Sequence, residues 1–196
     1  MGRRRNSRAN VVAVFIVAAV VLVGSWIAAH RDPAPSAAIP ESTPAAAVAA
    51  PTRPADAVAM TMEYAYDGDT IRARPAEPST LLPTTDAVRV RIIGIDTPEG
   101  TPTVECGADE ARAHLARLLP EGVRLWAAVE QEPQDRYGRW LLHLWTDDGR
   151  FVAGELVAAG DAVALRVPPN VAHAPLFSAL QADAEAAGRG QWSACR

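Results

Sequence analysis

The sequence predicts an α+β domain that is mainly β: a five-stranded barrel of the OB type with about three packed helices, preceded by a transmembrane helix and a Pro/Ala-rich linker. Three observations point there. From Met60 onward the chain gives three strand patterns, a helical one, two further strands and terminal helices, an order that suits a small closed barrel with a helical cover. Val11 to Ala29 carries no charge. Between His30 and Ala57, 16 of 28 residues are Ala or Pro, with almost no aliphatic periodicity that could support a core.

Residues 1–10 form a basic N-terminus in which Arg3, Arg4, Arg5 and Arg8 precede the apolar run. A helix over residues 11–29 would be about 28 Å long, close to the hydrocarbon thickness of a bilayer. The arginines ahead of it orient the N-terminus inward and the rest of the chain outward, with Trp26 at the outer interface. A cleaved secretory signal is the rival reading, since Ile27-Ala28-Ala29 supplies small residues near a cleavage point. Both readings export the domain. Residues 30–57 read as an extended, semi-rigid stalk, and residues 58–196 as the globular domain.

Within that domain, Met60, Met62, Tyr64 and Tyr66 alternate with smaller or polar neighbours before Asp67-Gly68 signals a turn. Thr70–Arg74 and Ala87–Ile95 are the next two strands. In the latter, Val88, Val90 and Ile92 share one face while Arg89 and Arg91 share the other. Ala108, Ala111, Leu115, Leu118 and Leu119 recur at helical spacing until Pro120 stops the pattern. Val123–Val129 and Trp140–Thr146 are strands joined by the polar segment from Glu130 to Gly138. Phe151–Ala159 reads as a short helix ended by Gly160, Ala162–Val167 as a short strand, and Ala174–Ala187 as a helix ended by Gly188.

The charge balance bears on function. From Val58 onward 13 arginines face 20 acids, leaving −7, and the chain contains no lysine. Proteins that hold nucleic acid by bulk electrostatics are basic, because counterion release supplies most of that affinity. The balance argues against tight non-specific binding and predicts weak affinity for nucleic acid, whereas a local acidic cluster remains compatible with a metal site. Two cysteines, Cys106 and Cys195, fall in the exported part. A disulfide between them would close a long loop and contribute on the order of 4 kcal/mol; two buried thiols are the other reading.

Three short segments hold the candidate chemistry. Asp67-Gly68-Asp69-Thr70 lies at a strand end, Asp96-Thr97-Pro98-Glu99 follows a strand, and Asp135-Arg136-Tyr137-Gly138-Arg139 precedes one. Read singly, the first and third are ordinary polar turns. The second could open a helix at Thr97, but Gly100, Thr101, Pro102 and Thr103 cannot sustain one, so its carboxylates line a loop. Together they supply what phosphodiester cleavage needs: carboxylate and carbonyl oxygens for a hard divalent cation, a base for water, and guanidinium clamps for a phosphoryl centre.

In content and order these segments resemble the staphylococcal-nuclease (thermonuclease) family. The resemblance runs from about Met60 to Trp192 through YDGDTI (66–71), VRIIGIDTPE (90–99), DRYGR (135–139), VAGELVAAGDAVAL (152–165) and GRGQW (188–192). It implies that Asp69 and Asp96 bind Ca2+ directly with the carbonyl of Thr97 as a third ligand, and that Asp67 supports them from behind. It further implies that Glu99 is the general base and that Arg91 and Arg139 hold the phosphate. The implied activity is calcium-dependent hydrolysis of DNA or RNA to 3′-phosphates by a monomer. Where that family has tyrosines packing against a bound nucleotide, this chain has Leu165 and Val167, which implies weaker substrate affinity. The alternative is an inactive barrel that binds an oligonucleotide, a glycan or a protein. His114, His143 and His173 lack metal-ligand spacing and read as packing or surface residues.

Overall fold

The computed structural model describes residues 49–195; the apolar run Val11–Ala29 and most of the linker lie outside them. Among the described residues no helix is long and apolar enough to cross a membrane.

Five strands close the predicted barrel: β1 (Val58–Ala65), β2 (Thr70–Pro75), β3 (Val88–Ile92), β5 (Arg124–Gln134) and β6 (Trp140–Thr146), in the spatial order β1-β2-β3-β6-β5. The β3–β6 pairing is parallel and the rest are antiparallel. Two-residue strands β4 (Ile95–Asp96) and β7 (Val163–Ala164) pair separately. Closure leaves no free edge in the main sheet. The alternation read from sequence holds: Met60, Met62, Ile71, Val90, Ile92, Leu125, Leu142 and Leu144 fill the interior, while Arg72, Arg74 and Arg89 point outward.

Among the described residues four helices cover the barrel: α1 (Ala108–Leu118), α2 (Val152–Ala159), α3 (Ala174–Ala186) and the single turn α4 (Gln191–Ala194). The first buries Ala108, Ala111, Leu115 and Leu118, the stripe its spacing predicts. The second is apolar nearly all round and correspondingly buried, and Gly160 caps it in the left-handed conformation. The last was not foreseen, being too short to show periodicity. It carries Cys195 to Cys106, and the two form a disulfide across 89 residues.

Three strand boundaries differ from expectation. The run Ala87–Ile95 breaks after Ile92, because Gly94 turns the chain at φ +86° with Phe177 of α3 packed where a side chain would stand. The strand expected to end at Val129 continues to Gln134 through an irregularity in its pairing with β6. There the Asn170 side chain takes the place of a neighbouring strand, accepting from the backbone N–H of Gln131 and Glu132 at 2.9 Å each. Finally, Ala162–Val167 shrinks to two residues, since β4 offers only two to pair with.

The end of the expected stalk lies against the barrel. The indole N–H of Trp145 donates to the carbonyl of Pro51 at 3.0 Å, and the Arg53 guanidinium sits 4.1 Å from the Trp126 ring.

Candidate active site

The site is built at one end of the barrel where the β1–β2 turn, β3 and the loop after β4 meet. Asp67 organises the turn: its Oδ1 accepts from the backbone N–H of Asp69 at 3.0 Å and of Thr70 at 2.6 Å. This directs Asp69 inward, where it is 1% exposed. Gly68 is required by space, not by a positive φ. A Cβ there would lie 2.7 Å from Ala111 Cβ and 2.8 Å from Thr97 Cγ2, so the turn is pressed between α1 and the Asp96–Glu99 segment.

Asp69 joins the two halves. Its Oδ2 accepts from both the backbone N–H and the hydroxyl of Thr97 at 3.0 Å, and its Oδ1 accepts from the hydroxyl of Thr70 at 3.1 Å. Oδ1 also pairs with Nη1 of Arg91. The other terminal nitrogen of Arg91 donates to Asp96 Oδ1 at 2.7 Å and to the Ile95 carbonyl at 3.1 Å. Register explains how Arg91 comes to be there: it stands opposite Thr70 across β2–β3, and its outward face turns toward the β4 loop. Thus Asp67, Asp69, Arg91, Asp96 and Thr97 form one bonded set.

Glu99 lies at the edge of that set and is exposed. Its carboxyl is raised above the ordinary value first by desolvation, then by the negative charge of Asp67, with Arg91 opposing and Asp96 and Glu105 adding to the rise. The neighbourhood therefore holds more acid than Arg91 neutralises. Among the described residues no three His, Cys, Asp or Glu side chains converge closely enough to hold a metal by themselves. The oxygen donors of the set are the carboxylates of Asp69 and Asp96, both of them paired with Arg91 in this structure, and backbone oxygen. All are hard oxygen ligands, and with the surplus of negative charge they fit a calcium-type ion completed by water or substrate.

Arg139 stands at the end of the β5–β6 turn, just before Trp140 opens β6. Asp135 fixes it twice: Oδ1 accepts the backbone N–H of Tyr137 and Arg139 at 2.9 Å, and Oδ2 accepts Nε of Arg139 at 2.7 Å. Burial raises the Asp135 carboxyl, but the hydrogen bonds from Arg139 and Tyr137 outweigh it and leave the group below its ordinary value. Arg139 and Arg91 share a cavity of 380 Å³ whose wall includes Tyr137, Leu165, Val167 and Asn170. Arg91 and Arg139 thus border one cavity together with Leu165 and Val167, while Asp69, Asp96 and Glu99 are not among its lining residues. Asn170 and Glu105 are not singled out by the sequence, and Asp135 reads there only as part of the 135–139 turn with no role of its own, although an acid four residues before an arginine across a glycine turn is a signal for one.

His114, His143 and His173 are engaged in packing and pairing within the domain. His114 Nδ1 pairs with Asp161 Oδ2 at 2.6 Å, tying α1 to the end of α2. His143 is buried against Glu130 and His173.

A closed five-stranded barrel with an acid and arginine site at its rim is the architecture of an OB-fold nuclease-like domain. Residues 89–194 match the family described as staphylococcal nuclease homologue, and the chain belongs to that family. It is 36% identical over 101 residues to a protein named thermonuclease from Staphylococcus intermedius, an overlap of 50% of this chain and 58% of that protein. The chain thus matches little more than half the length of that relative.

Proposed function

We propose that the domain is a calcium-dependent phosphodiesterase that hydrolyses DNA, RNA or both, leaving 3′-phosphates. The observation that supports it most is the junction at Asp69, where one carboxylate is bonded to Thr97 and Arg91 while Arg91 reaches Asp96. Residues from two segments more than twenty positions apart meet there for no evident packing purpose, since buried ion pairs stabilise folds poorly.

Asp69, Asp96 and the Thr97 carbonyl would hold the ion, which when bound polarises a phosphate oxygen and offsets negative charge. Glu99, with its raised affinity for protons, takes a proton from the attacking water. Arg91 and Arg139 bind the phosphate oxygens and stabilise the charge added at phosphorus, each as a planar fork that a lysine cannot imitate. Leu165 and Val167 add an apolar wall on which no base can stack, and Tyr137 is the one ring among the residues lining that cavity, so affinity there is modest.

The disulfide suits an oxidising compartment. With the arginines and apolar run at the N-terminus it supports a domain outside the cytoplasm, anchored by one span or released after cleavage. Mass spectrometry of the mature N-terminus distinguishes the two.

The test of activity is incubation of the protein with single-stranded DNA in calcium, then in chelator. Cutting that needs calcium and is lost in Glu99→Gln supports the enzyme. Binding without cutting in either condition makes the domain a recognition module instead.

A further inference from the structure

The outer face of β1–β3 carries a second feature that the catalytic set does not use. Tyr64 and Tyr66 are large side chains left 40% and 39% exposed, with their rings edge to face at 5.2 Å. Arg89 lies 4.6 Å from the Tyr66 ring and Arg112 lies 5.3 Å from the Tyr64 ring. Arg112 also donates to the Tyr64 hydroxyl at 2.8 Å and to the Ala65 carbonyl at 3.1 Å. Strand register lines the group up: Tyr64 stands opposite Arg72, and Arg72 opposite Arg89.

The charges of this patch are not equivalent. Arg72 and Arg74 share the single carboxylate of Glu63 at 2.9 and 2.8 Å, which offsets one of their two charges. Arg89 and Arg112 pair with no acid among the described residues and rest on aromatic rings instead. In a domain of net −7, two uncompensated guanidiniums stacked on two exposed tyrosines are a local exception. The patch also adjoins the site. Arg89 and Arg91 share a face of β3 two residues apart, about 7 Å along the strand, and Tyr66 bonds through its N–H to Thr70, the residue opposite Arg91.

We propose that Tyr64, Tyr66, Arg89 and Arg112 form a stacking platform for the bases of single-stranded nucleic acid, leading the strand toward Arg91. Aromatic rings and guanidinium planes accept any base, and the unpaired charges meet phosphates. A duplex keeps its base faces stacked inside and cannot use the rings. The platform also offsets the missing rings at Leu165 and Val167 on the other side of Arg91. It rests on the nuclease reading only for the direction in which the strand runs.

The experiment is fluorescence anisotropy of the full chain with a labelled oligothymidylate and with a duplex of equal length, both in chelator so that nothing is cut. The single strand binds more tightly than the duplex. Tyr64→Ala and Tyr66→Ala each weaken single-strand binding about fivefold or more, while Tyr64→Phe and Tyr66→Phe retain it. Arg89→Ala lowers the slope of log affinity against log salt by about 0.7. The phenylalanine variants and the salt slope separate a binding role from misfolding. Equal affinity for strand and duplex, alanine variants that bind like the wild type, or displacement by polyglutamate irrespective of the tyrosines would overturn the platform. Cleavage in calcium is read separately: cutting without tyrosine-dependent binding removes the platform and keeps the nuclease, and the reverse result does the opposite.

Discussion

Glu99 and Glu105 close a loop on each other: the backbone N–H of Glu99 donates to Glu105 Oε2 at 2.9 Å, and the backbone N–H of Glu105 donates to the Glu99 carbonyl at 2.8 Å. Glu99, the proposed base, is thereby held through its backbone, which leaves its carboxylate free, in a field where desolvation and Asp67 raise its proton affinity. A general base must be ionised to act, so a raised pKa moves the acid limb of kcat/KM upward from the ordinary 4.5. Asp67→Asn keeps the Oδ1 that accepts from Asp69 and Thr70 but removes the charge. The acid limb should then move to lower pH, measured on single-stranded DNA. No movement, or an upward one, would contradict the role given to Glu99. Its stability contribution has the opposite sense: full below 4.5, it is lost as pH rises through the raised value.

Gly68→Ala should weaken both fold and site. The new Cβ meets Ala111 Cβ at 2.7 Å and Thr97 Cβ at 2.9 Å, neither of which is the end of a flexible chain. Overpacking of this kind costs about 1 to 3 kcal/mol. Because relief requires the turn to move off Thr97, Asp69 moves with it, and activity should fall further than the loss of folded protein explains. Thermal melting beside turnover at a temperature where the variant is folded measures both. Turnover in proportion to folded fraction would count against the turn's positioning role.

Arg139→Lys tests the clamp. Asp135 already takes Nε of Arg139 at 2.7 Å, which leaves the fork's other nitrogens for the proposed phosphate contact. A lysine has one nitrogen and must choose between Asp135 and substrate. We expect kcat to fall about 100- to 1000-fold, with little change in melting temperature because the position is near the surface. Turnover within a few-fold of wild type, in a plasmid-digestion assay, removes Arg139 from the chemistry.

Reduction of the Cys106–Cys195 disulfide should act on the same loop that holds Glu99. Cys106 directly follows Glu105, and the bond ties that point to α4 across 89 residues. Loss of the crosslink releases denatured-state entropy worth on the order of 4 kcal/mol. Cys106→Ser with Cys195→Ser should lower the melting temperature by many degrees. In the temperature range where the variant stays folded, Glu99-dependent cutting should fall as well. An unchanged melting temperature would show that the bond does not constrain the chain.

Local pattern revealed the barrel because its strands are half-buried and period-two alternation survives in Met60, Met62, Val90 and Ile92. It failed where a side chain from far along the sequence decides the outcome. Phe177 forces the break at Gly94, and Asn170 extends β5 through Glu130–Gln134, a segment that alone reads as a polar connection. The candidate site shows the same division. The acids and arginines were legible by type and order, but that Arg91 bridges Asp69 and Asp96 depends on register between β2 and β3 and on the Gly94 turn, neither of which leaves a local mark.

His143 should set the acid stability of the domain. It is 4% exposed, its Nε2 lies 3.2 Å from Glu130 Oε2, and burial pushes its pKa down to about 4 although Glu130 pulls the other way and His173 adds to the fall. Glu130 is itself committed, accepting from the backbone N–H of Val171 and Ala172 at 2.5 and 2.8 Å. Protonating His143 would place a cation among Trp145, Phe151 and His173. Because the folded pKa lies below the unfolded 6.5, the contribution is complete above 6.5 and drains away as pH falls toward 4. The span corresponds to on the order of 3 kcal/mol. His143→Gln can still donate to Glu130 but does not titrate. Urea unfolding at several pH values should therefore show a shallower loss between 6.5 and 4 in the variant than in the wild type. Parallel curves would mean that another group governs unfolding in acid.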